Sequence, residues 1–270
     1  LTLQRQTQAQ EPLVLMNELG VGYDEDMLWD VNIAGMRFGK KMQFISTIQT
    51  NNNGSNLSNK SNGGSGKFAS TIKPSVPNIG DSRTTFNDSY GLTFNSLQKL
   101  NNDAELSLNI LGGFDKNRKS SFARTSYLVP EIDSINIYET MNYGEKSYSL
   151  ETDINYNLNT KLDYLKINFN VLGNDILNSS DIESSSLIRQ KEDYQNLTAK
   201  AYIRWIRKSR TDNEKGIEIN SRNTYNILPY YSDVSPGSFP EELNNGINYD
   251  MTKQNVDFTS FKSNNTFRFL

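Results

Sequence analysis

The feature that most constrains this chain is an alternation of apolar and polar residues with a period of two. It is clearest in segments 165–171 and 197–205. Their apolar positions are Leu165, Ile167, Phe169, Val171, Leu197, Ala199, Ala201, Ile203 and Trp205. Successive side chains of a β-strand point to opposite faces, so this pattern predicts strands with one apolar and one polar face.

The same periodicity runs through most of the chain and predicts about ten strands. Their predicted bounds are 11–23, 27–38, 41–52, 86–98, 103–129, 134–158, 161–175, 193–208, 214–228 and 254–270. No segment has the apolar spacing of an amphipathic helix. We therefore expect an all-β protein, and the lengths of its connections indicate how the strands are ordered.

Short and long connections alternate along the chain. The short ones are 39–40, 99–102, 159–160 and 209–213, and the long ones are 53–85, 176–192 and 229–253. Only 24–26 and 130–133 are brief where a long connection is expected. Short turns at one end and long loops at the other are typical of an antiparallel, up-and-down outer-membrane β-barrel. A β-sandwich with Greek-key connections has no reason to alternate in this way.

The composition limits the chemistry that the chain can perform. It contains no cysteine and no histidine, which excludes disulfides, thiolate metal sites and serine–histidine or cysteine–histidine catalysis within the chain. The acidic turn at 24–26 lacks the glycine and distal glutamate of a known calcium loop. We predict no catalytic, metal-binding or cofactor-binding residues, and an enzyme is the least favoured class.

The balance of residue types also favours a membrane barrel. Only 35% of the residues are hydrophobic, which is low for a soluble domain of 270 residues. The 14 tyrosines and 13 phenylalanines argue against wholesale disorder. A barrel needs only one apolar face per strand, since the other lines a wet lumen. The formal net charge of −3 offers no basic surface, so no nucleic-acid partner is expected.

The alternation also predicts which side chains share a face. We expect Leu106, Leu108, Ile110, Leu150, Ile154, Ile167, Phe169, Val171, Leu197 and Ile203 to face lipid. Inward-facing positions should include Asn109, Glu151, Asp153, Asn168, Asn170, Lys200 and Arg204. The low-complexity segment 53–85, rich in Asn, Gly and Ser, is interpreted as a long surface loop.

Five polar residues on two neighbouring predicted strands are candidates for a substrate path. They are Lys200, Arg204, Glu218, Asn220 and Arg222. The alternative is ordinary lumen packing by cross-strand ion pairs, which contribute about 0.2–1 kcal/mol each. Of the two interpretations, lumen packing is the one that we favour from the sequence.

The first third of the chain resembles a known family. Segment 27–54 contains Leu28-Trp29, then Met36-Arg37-Phe38 with Lys40-Lys41, then a strand from Gln43 to Thr47 leading into Asn52-Asn53-Gly54. The later matches, in the same order along the chain, are Arg124-Thr125-Ser126-Tyr127, Ile188-Arg189-Gln190-Lys191 and Ser238-Phe239-Pro240 with Leu243-Asn244. The pattern resembles the start of the barrel in TonB-dependent-receptor-like proteins of Bacteroidetes.

That resemblance implies a longer parent protein. It would carry a carboxypeptidase-regulatory-like domain, a plug and a barrel of about 22 strands, of which 1–270 would supply roughly the first half. The N-terminal residues have no apolar signal-peptide core, so we expect an internal segment of such a protein. Its expected partners are outer-membrane lipid, the rest of its own barrel and plug, and an energy-coupling protein or a surface lipoprotein.

Two functions fit these observations. The first is an outer-membrane receptor or transporter that admits a nutrient through its barrel and outer loops without catalysis. The second is a structural barrel in the same membrane that scaffolds other envelope proteins and transports nothing. A soluble all-β adhesin is a third interpretation, and dependence on detergent separates it from the other two.

Overall fold

The computed structural model describes residues 12–24, 26–54, 86–127, 135–210 and 215–270. Among these residues it contains one antiparallel sheet of ten strands in which every strand pairs with its neighbours in sequence. The strands are β1 (Leu13–Asp24), β2 (Asp26–Phe38), β3 (Met42–Asn51), β4 (Phe86–Lys99), β5 (Ala104–Tyr127), β6 (Ile135–Asn159), β7 (Asp163–Glu183), β8 (Leu187–Lys208), β9 (Gly216–Ser235) and β10 (Thr252–Phe269). The predicted all-β, up-and-down architecture is confirmed.

The sheet is open. Within the described residues, β1 pairs only with β2 and β10 only with β9, so no ladder joins the first and last strands. This arrangement is consistent with part of a larger antiparallel barrel and contradicts a closed ten-stranded one. No helix in the described part of the chain is long and apolar enough to cross a bilayer. The one helix there, α1 (Pro240–Leu243), has four residues.

The strand register separates two faces of the sheet. One row across β5 to β8 contains Leu108, Ile154, Phe169 and Ala201. We call the face that carries this row the apolar face. The adjacent row contains Asn109, Asp153, Asn170 and Lys200, and it defines the polar face. All ten side chains predicted to face lipid share the apolar face, and all seven predicted to point inward share the polar face.

Burial is inverted relative to a water-soluble sheet. All eleven buried polar side chains among the described residues lie on the polar face, including Ser89 and Asp115 at 0% exposure. On the apolar face, Leu150 is 53% and Phe169 42% exposed. Side chains crowd on the concave side of a curved sheet and spread on its convex side. From this crowding we infer that the polar face is the concave side of the sheet.

Several strand limits differ from the sequence-based prediction. Segment 176–192 is not a long loop, because β7 and β8 continue through it and meet at residues 184–186. Likewise, β9 continues to Ser235, so the predicted connection 229–253 shrinks to 236–251. Both faces are polar in much of 176–192, which removes the apolar alternation that marks strands elsewhere. Of the predicted surface loop 53–85, residues 55–85 lie outside the described part of the chain, as does the predicted connection 130–133.

Candidate functional site

The five predicted site residues lie on the polar face of β8 and β9. Arg204 pairs with Asn220 in the strand register, and Arg222 pairs with Tyr202. Lys200 pairs with Thr224, and Glu218 with Ile206, so all five share one face. Period-two alternation was sufficient to group them, because antiparallel pairing keeps side chains on the same face together.

An ion pair between Arg204 and Glu218 is the tightest charged contact of this group. Arg204 Nε donates to Glu218 Oε1 at 2.8 Å, and Arg268 Nη1 of β10 lies 3.9 Å from Glu218 Oε2. The Glu218 side chain is 10% exposed and that of Arg204 41%. A carboxylate this buried requires charged partners, so this part of the site matches the packing alternative from the sequence.

The other three residues of the group are less constrained. The Arg222 guanidinium lies over the Tyr202 ring, 5.4 Å from its centroid, in a cation–π contact. Lys200 is exposed and has no hydrogen bond or ion pair among the described residues. Asn220 lies between Arg204 and Thr266 of β10 in the register. Lys200 and Arg222 are thus the members of the group that remain open to solvent.

A second group of polar side chains lies on β6 and β7, in the part of both strands nearer to their short connecting turn. Asn168 Nδ2 donates to Asp153 Oδ2 at 2.9 Å and lies 2.7 Å from Asn155 Oδ1. Asn155 also donates to Asp153, and Asn170 donates to Glu151 at 3.3 Å. These side chains connect two strands through amides and carboxylates. They coat the concave side with hydrogen-bonding groups that a polar solute could exchange for its own.

A third group lies further from the short turns. The Tyr143 hydroxyl lies 2.7 Å from Glu145 Oε2 and 3.0 Å from Asn178 Oδ1, and Asn178 Nδ2 donates to Glu192 Oε2 at 2.9 Å. Burial, followed by the negative charge of Glu145, raises the pKa of Tyr143. The phenol therefore stays protonated and serves as a donor to one of these two acceptors. Sequence reasoning missed this group because Asn178 and Glu192 lie in 176–192, which was predicted to be a loop, although Tyr143 and Glu145 lie in the predicted strand 134–158.

The apolar face carries a band of apolar residues that ends at an aromatic row. The band comprises 104–114, 148–158, 163–173 and 197–205 on β5 to β8. Tyr90, Phe114 and Tyr148 form the row, with ring centroids 6.0 Å apart in the first pair and 4.8 Å in the second. Phe114 lies between Tyr90 and Tyr148 and completes the row.

The alternation reverses beyond this row. We call 115–127 with 135–147, and 174–196, the projecting hairpins. In them the apolar side chains of Met141, Tyr143 and Ile182 are at most 6% exposed and lie on the polar face. On the other face of the same segments, Asp181 and Arg189 are exposed and lie 4.0 Å apart. The residues on this face thus change from mainly apolar to mainly polar at one level of the sheet.

The arrangement offers surfaces for contact. In the described part of the chain, no three residues of the metal-ligating types come close enough to hold an ion. The polar face presents charges and amides for reversible binding of polar solutes. No protein-family model matches the chain, and no curated protein matches its sequence.

Proposed function

We propose that this sheet is part of the wall of an outer-membrane barrel that acts as a receptor or transporter for a nutrient, without catalysis. The reversal of alternation at the row of Tyr90, Phe114 and Tyr148 carries the proposal. Below that row the outward-pointing side chains of β5 to β8 are mainly apolar. Above it they are mainly polar, so the outer surface suits hydrocarbon below the row and water above it. The apolar exceptions above the row are Phe122, Tyr138, Leu177 and Leu187.

The height of the band supports a bilayer location. From Ala104 to Phe114 the strand rises about 34 Å at about 3.4 Å per residue. A strand tilt of about 40° reduces this to about 26 Å along the membrane normal, and outer-membrane barrels have an apolar band about 25 Å tall. Aromatic residues at its border suit the interface, where an apolar ring and a polar tip meet different surroundings.

The two free edges support a larger assembly. Unpaired backbone groups in hydrocarbon cost several kcal/mol each, so β1 and β10 need partner strands inside a membrane. The rest of the same barrel is the partner we propose for them. A plug inside that barrel and an energy-coupling protein would then complete an active transporter.

Labelling at introduced thiols tests the membrane wall. The chain has no cysteine, so each introduced cysteine is the only thiol in this region. In the full-length protein inserted in vesicles, we expect Asn168→Cys and Asn170→Cys to react with a water-soluble maleimide. Phe169→Cys and Val171→Cys should instead be protected, and a lipid-attached quencher should quench a fluorophore placed there. Equal labelling at all four positions would overturn the membrane location.

A structural barrel that scaffolds envelope proteins is the second candidate, and the end of the β5–β6 hairpin favours it. Phe122 and Tyr138 stack there with centroids 6.1 Å apart and are 68% and 52% exposed. Arg124 lies over the Tyr138 ring at 5.6 Å. Exposed aromatic residues beside an arginine are common at the centres of protein interfaces, so a surface lipoprotein could dock here.

A pair of variants separates the two candidates. Asn168→Trp with Asn170→Trp narrows the lumen side, and Phe122→Ala with Tyr138→Ala removes the exposed aromatic pair. For a transporter, the first double variant should lower growth on limiting nutrients while the protein level in the membrane stays constant. For a scaffold, the Asn168→Trp and Asn170→Trp double variant should leave growth unchanged. The Phe122→Ala and Tyr138→Ala double variant should instead release co-purifying envelope proteins.

A further inference from the structure

A lysine pair lies immediately beyond the aromatic row on the apolar face. Lys116 and Lys146 are directly opposite each other in the β5–β6 register, and Arg118 follows two residues further along β5 on the same face. Neither lysine has an ion pair among the described residues. The nearest acidic positions in the register are Asp88 on β4, which is opposite Lys116, and Asp175 on β7, which is diagonal to Lys146.

Directly opposed like charges destabilise an antiparallel pair. Side chains at such positions have Cβ atoms only about 4.5–5.5 Å apart, so two ammonium groups there can share one anion. A phosphate placed between them would turn a repulsive pair into two charge-assisted contacts. The geometry of Lys116 and Lys146 therefore suits a phosphate-bearing ligand.

The position of the two lysines along the membrane normal indicates which phosphate-bearing molecule they would contact. The lysines are two residues beyond Phe114 and Tyr148, or about 7 Å along the strand and about 5 Å along the membrane normal. The polar headgroup region extends about 5–7 Å beyond the hydrocarbon on each side of a bilayer. On the proposed membrane orientation, the ammonium groups thus lie at the level of lipid headgroups.

Two shallow apolar grooves lie below the pair. One, of about 560 Å³, passes over Gly173 between Leu150 and Leu197. The other, of about 420 Å³, passes over Gly112 beside Leu92. Leu150 and Tyr148 form the ridge between the grooves, and Lys146 lies directly above that ridge on the same strand. The two grooves are placed to take acyl chains on either side of one headgroup.

We propose that this part of the outer wall binds a phosphorylated lipid with more than one acyl chain, with its phosphate between Lys116 and Lys146 and its chains in the grooves over Gly112 and Gly173. The inference rests on the proposed membrane location and adds the chemistry of the lipid partner. Arg118 supplies additional positive charge, which offsets Asp88 at the edge of the site.

Native mass spectrometry of the full-length protein tests this binding. The protein in detergent is mixed with equimolar dioleoyl phosphatidylglycerol and dioleoylglycerol, which differ only in the headgroup. A lysine near an anionic surface contributes about 1 kcal/mol, or roughly fivefold in affinity, so Lys116→Gln with Lys146→Gln should lower phosphatidylglycerol retention about 30-fold. Retention of dioleoylglycerol should not change.

Matched variants keep the test specific. Lys253→Gln removes the same charge from the same face on β10, four strands from Lys146, and should retain the lipid like the wild type. Gly173→Leu should fill one groove and weaken retention of both lipids. The groove has room for this change, since a Cβ at Gly173 would have its nearest neighbours at 4.0 Å.

A flotation assay with vesicles distinguishes failure of the lipid site from failure of the proposed membrane location. If the wild type floats with vesicles and the double lysine variant keeps its preference for phosphatidylglycerol, the lipid site is wrong and the membrane wall stands. If the wild type does not associate with vesicles at all, the proposed function fails and the lipid site fails with it.

Discussion

The band and the projecting hairpins are parts of the same strands, yet they expose opposite kinds of side chain. Phe169 and Leu150 in the band are 42% and 53% exposed on the outer surface. In the hairpins, Met141 and Ile182 are 6% and 5% exposed on the inner side. The strand register does not change between the two regions, because the ladders of β5–β6 and β7–β8 are continuous.

On the proposed membrane location, the medium outside the sheet selects the residues on its outer surface, while the period of two only sorts them into faces. In water, burial of apolar side chains stabilises the folded state by about 25 cal/mol per Å². Next to hydrocarbon that driving force is absent, and a charged side chain is the costly choice. The level at which the outward-facing residues change from mainly apolar to mainly polar marks the border of the proposed membrane.

The largest expected effect comes from a charge on the outer surface of the band. Phe169→Arg, near the middle of the band on β7, should lower the free energy of unfolding by about 2–4 kcal/mol in phospholipid vesicles, since an arginine at the bilayer midplane must leave water. Denaturant titration followed by tryptophan fluorescence measures it.

The neighbouring position on the other face is the matched control. Asn168→Arg places the same side chain on the polar face, diagonal to Asp153, where water and a carboxylate are available, and should cost less than about 1 kcal/mol. Equal costs at 168 and 169 would mean that both faces meet the same medium, which would remove the basis of the comparison.

An intermediate effect is expected inside the projecting hairpins. Ile182→Ala removes a side chain that is 5% exposed on the polar face of β7, and should destabilise the hairpin by about 2 kcal/mol. Leu177→Ala on the other face, where the side chain is 40% exposed, should cost less than about 0.5 kcal/mol. Hydrogen exchange of the amides in 174–196 reports both changes, and the reverse order would contradict the reversal of alternation.

The smallest effect concerns the predicted lumen residues. Arg204→Met leaves the Glu218 carboxylate, whose side chain is 10% exposed, with only the more distant Arg268 as a charged partner. It should lower the free energy of unfolding by about 1–2 kcal/mol, a value that is reduced because Arg204 is itself partly exposed. Lys200→Met removes a charge without a partner among the described residues, so its cost should be less than about 0.5 kcal/mol. Thermal unfolding of both variants measures these costs. Equal costs would contradict the difference between Arg204, which is ion-paired, and Lys200.

Much of the fold follows from local pattern. Ten strands, their sequential antiparallel order and the grouping of Lys200, Arg204, Glu218, Asn220 and Arg222 on one face were all predictable. Each of these depends on period-two alternation and short turns, which act over a few residues. The extensions of β7 and β8 were not predictable, because segment 176–192 lacks a consistently apolar face.

The candidate sites depend more on pairing between distant segments. Tyr143 reaches Asn178 across 35 residues, and Asn178 reaches Glu192 on the next strand. The lysine pair joins Lys116 to Lys146, which are 30 residues apart and meet only through the β5–β6 register. A shift of this register by one residue would move one lysine to the opposite face.

By itself, the sequence determined which side chains share a face, because alternation along an extended chain has that single outcome. Tertiary structure decided which face is crowded, how far the hairpins project and which charges meet across the ladder. The physical reason is that burial and charge pairing arise between strands, from register and curvature, and both depend on contacts among segments far apart in the chain.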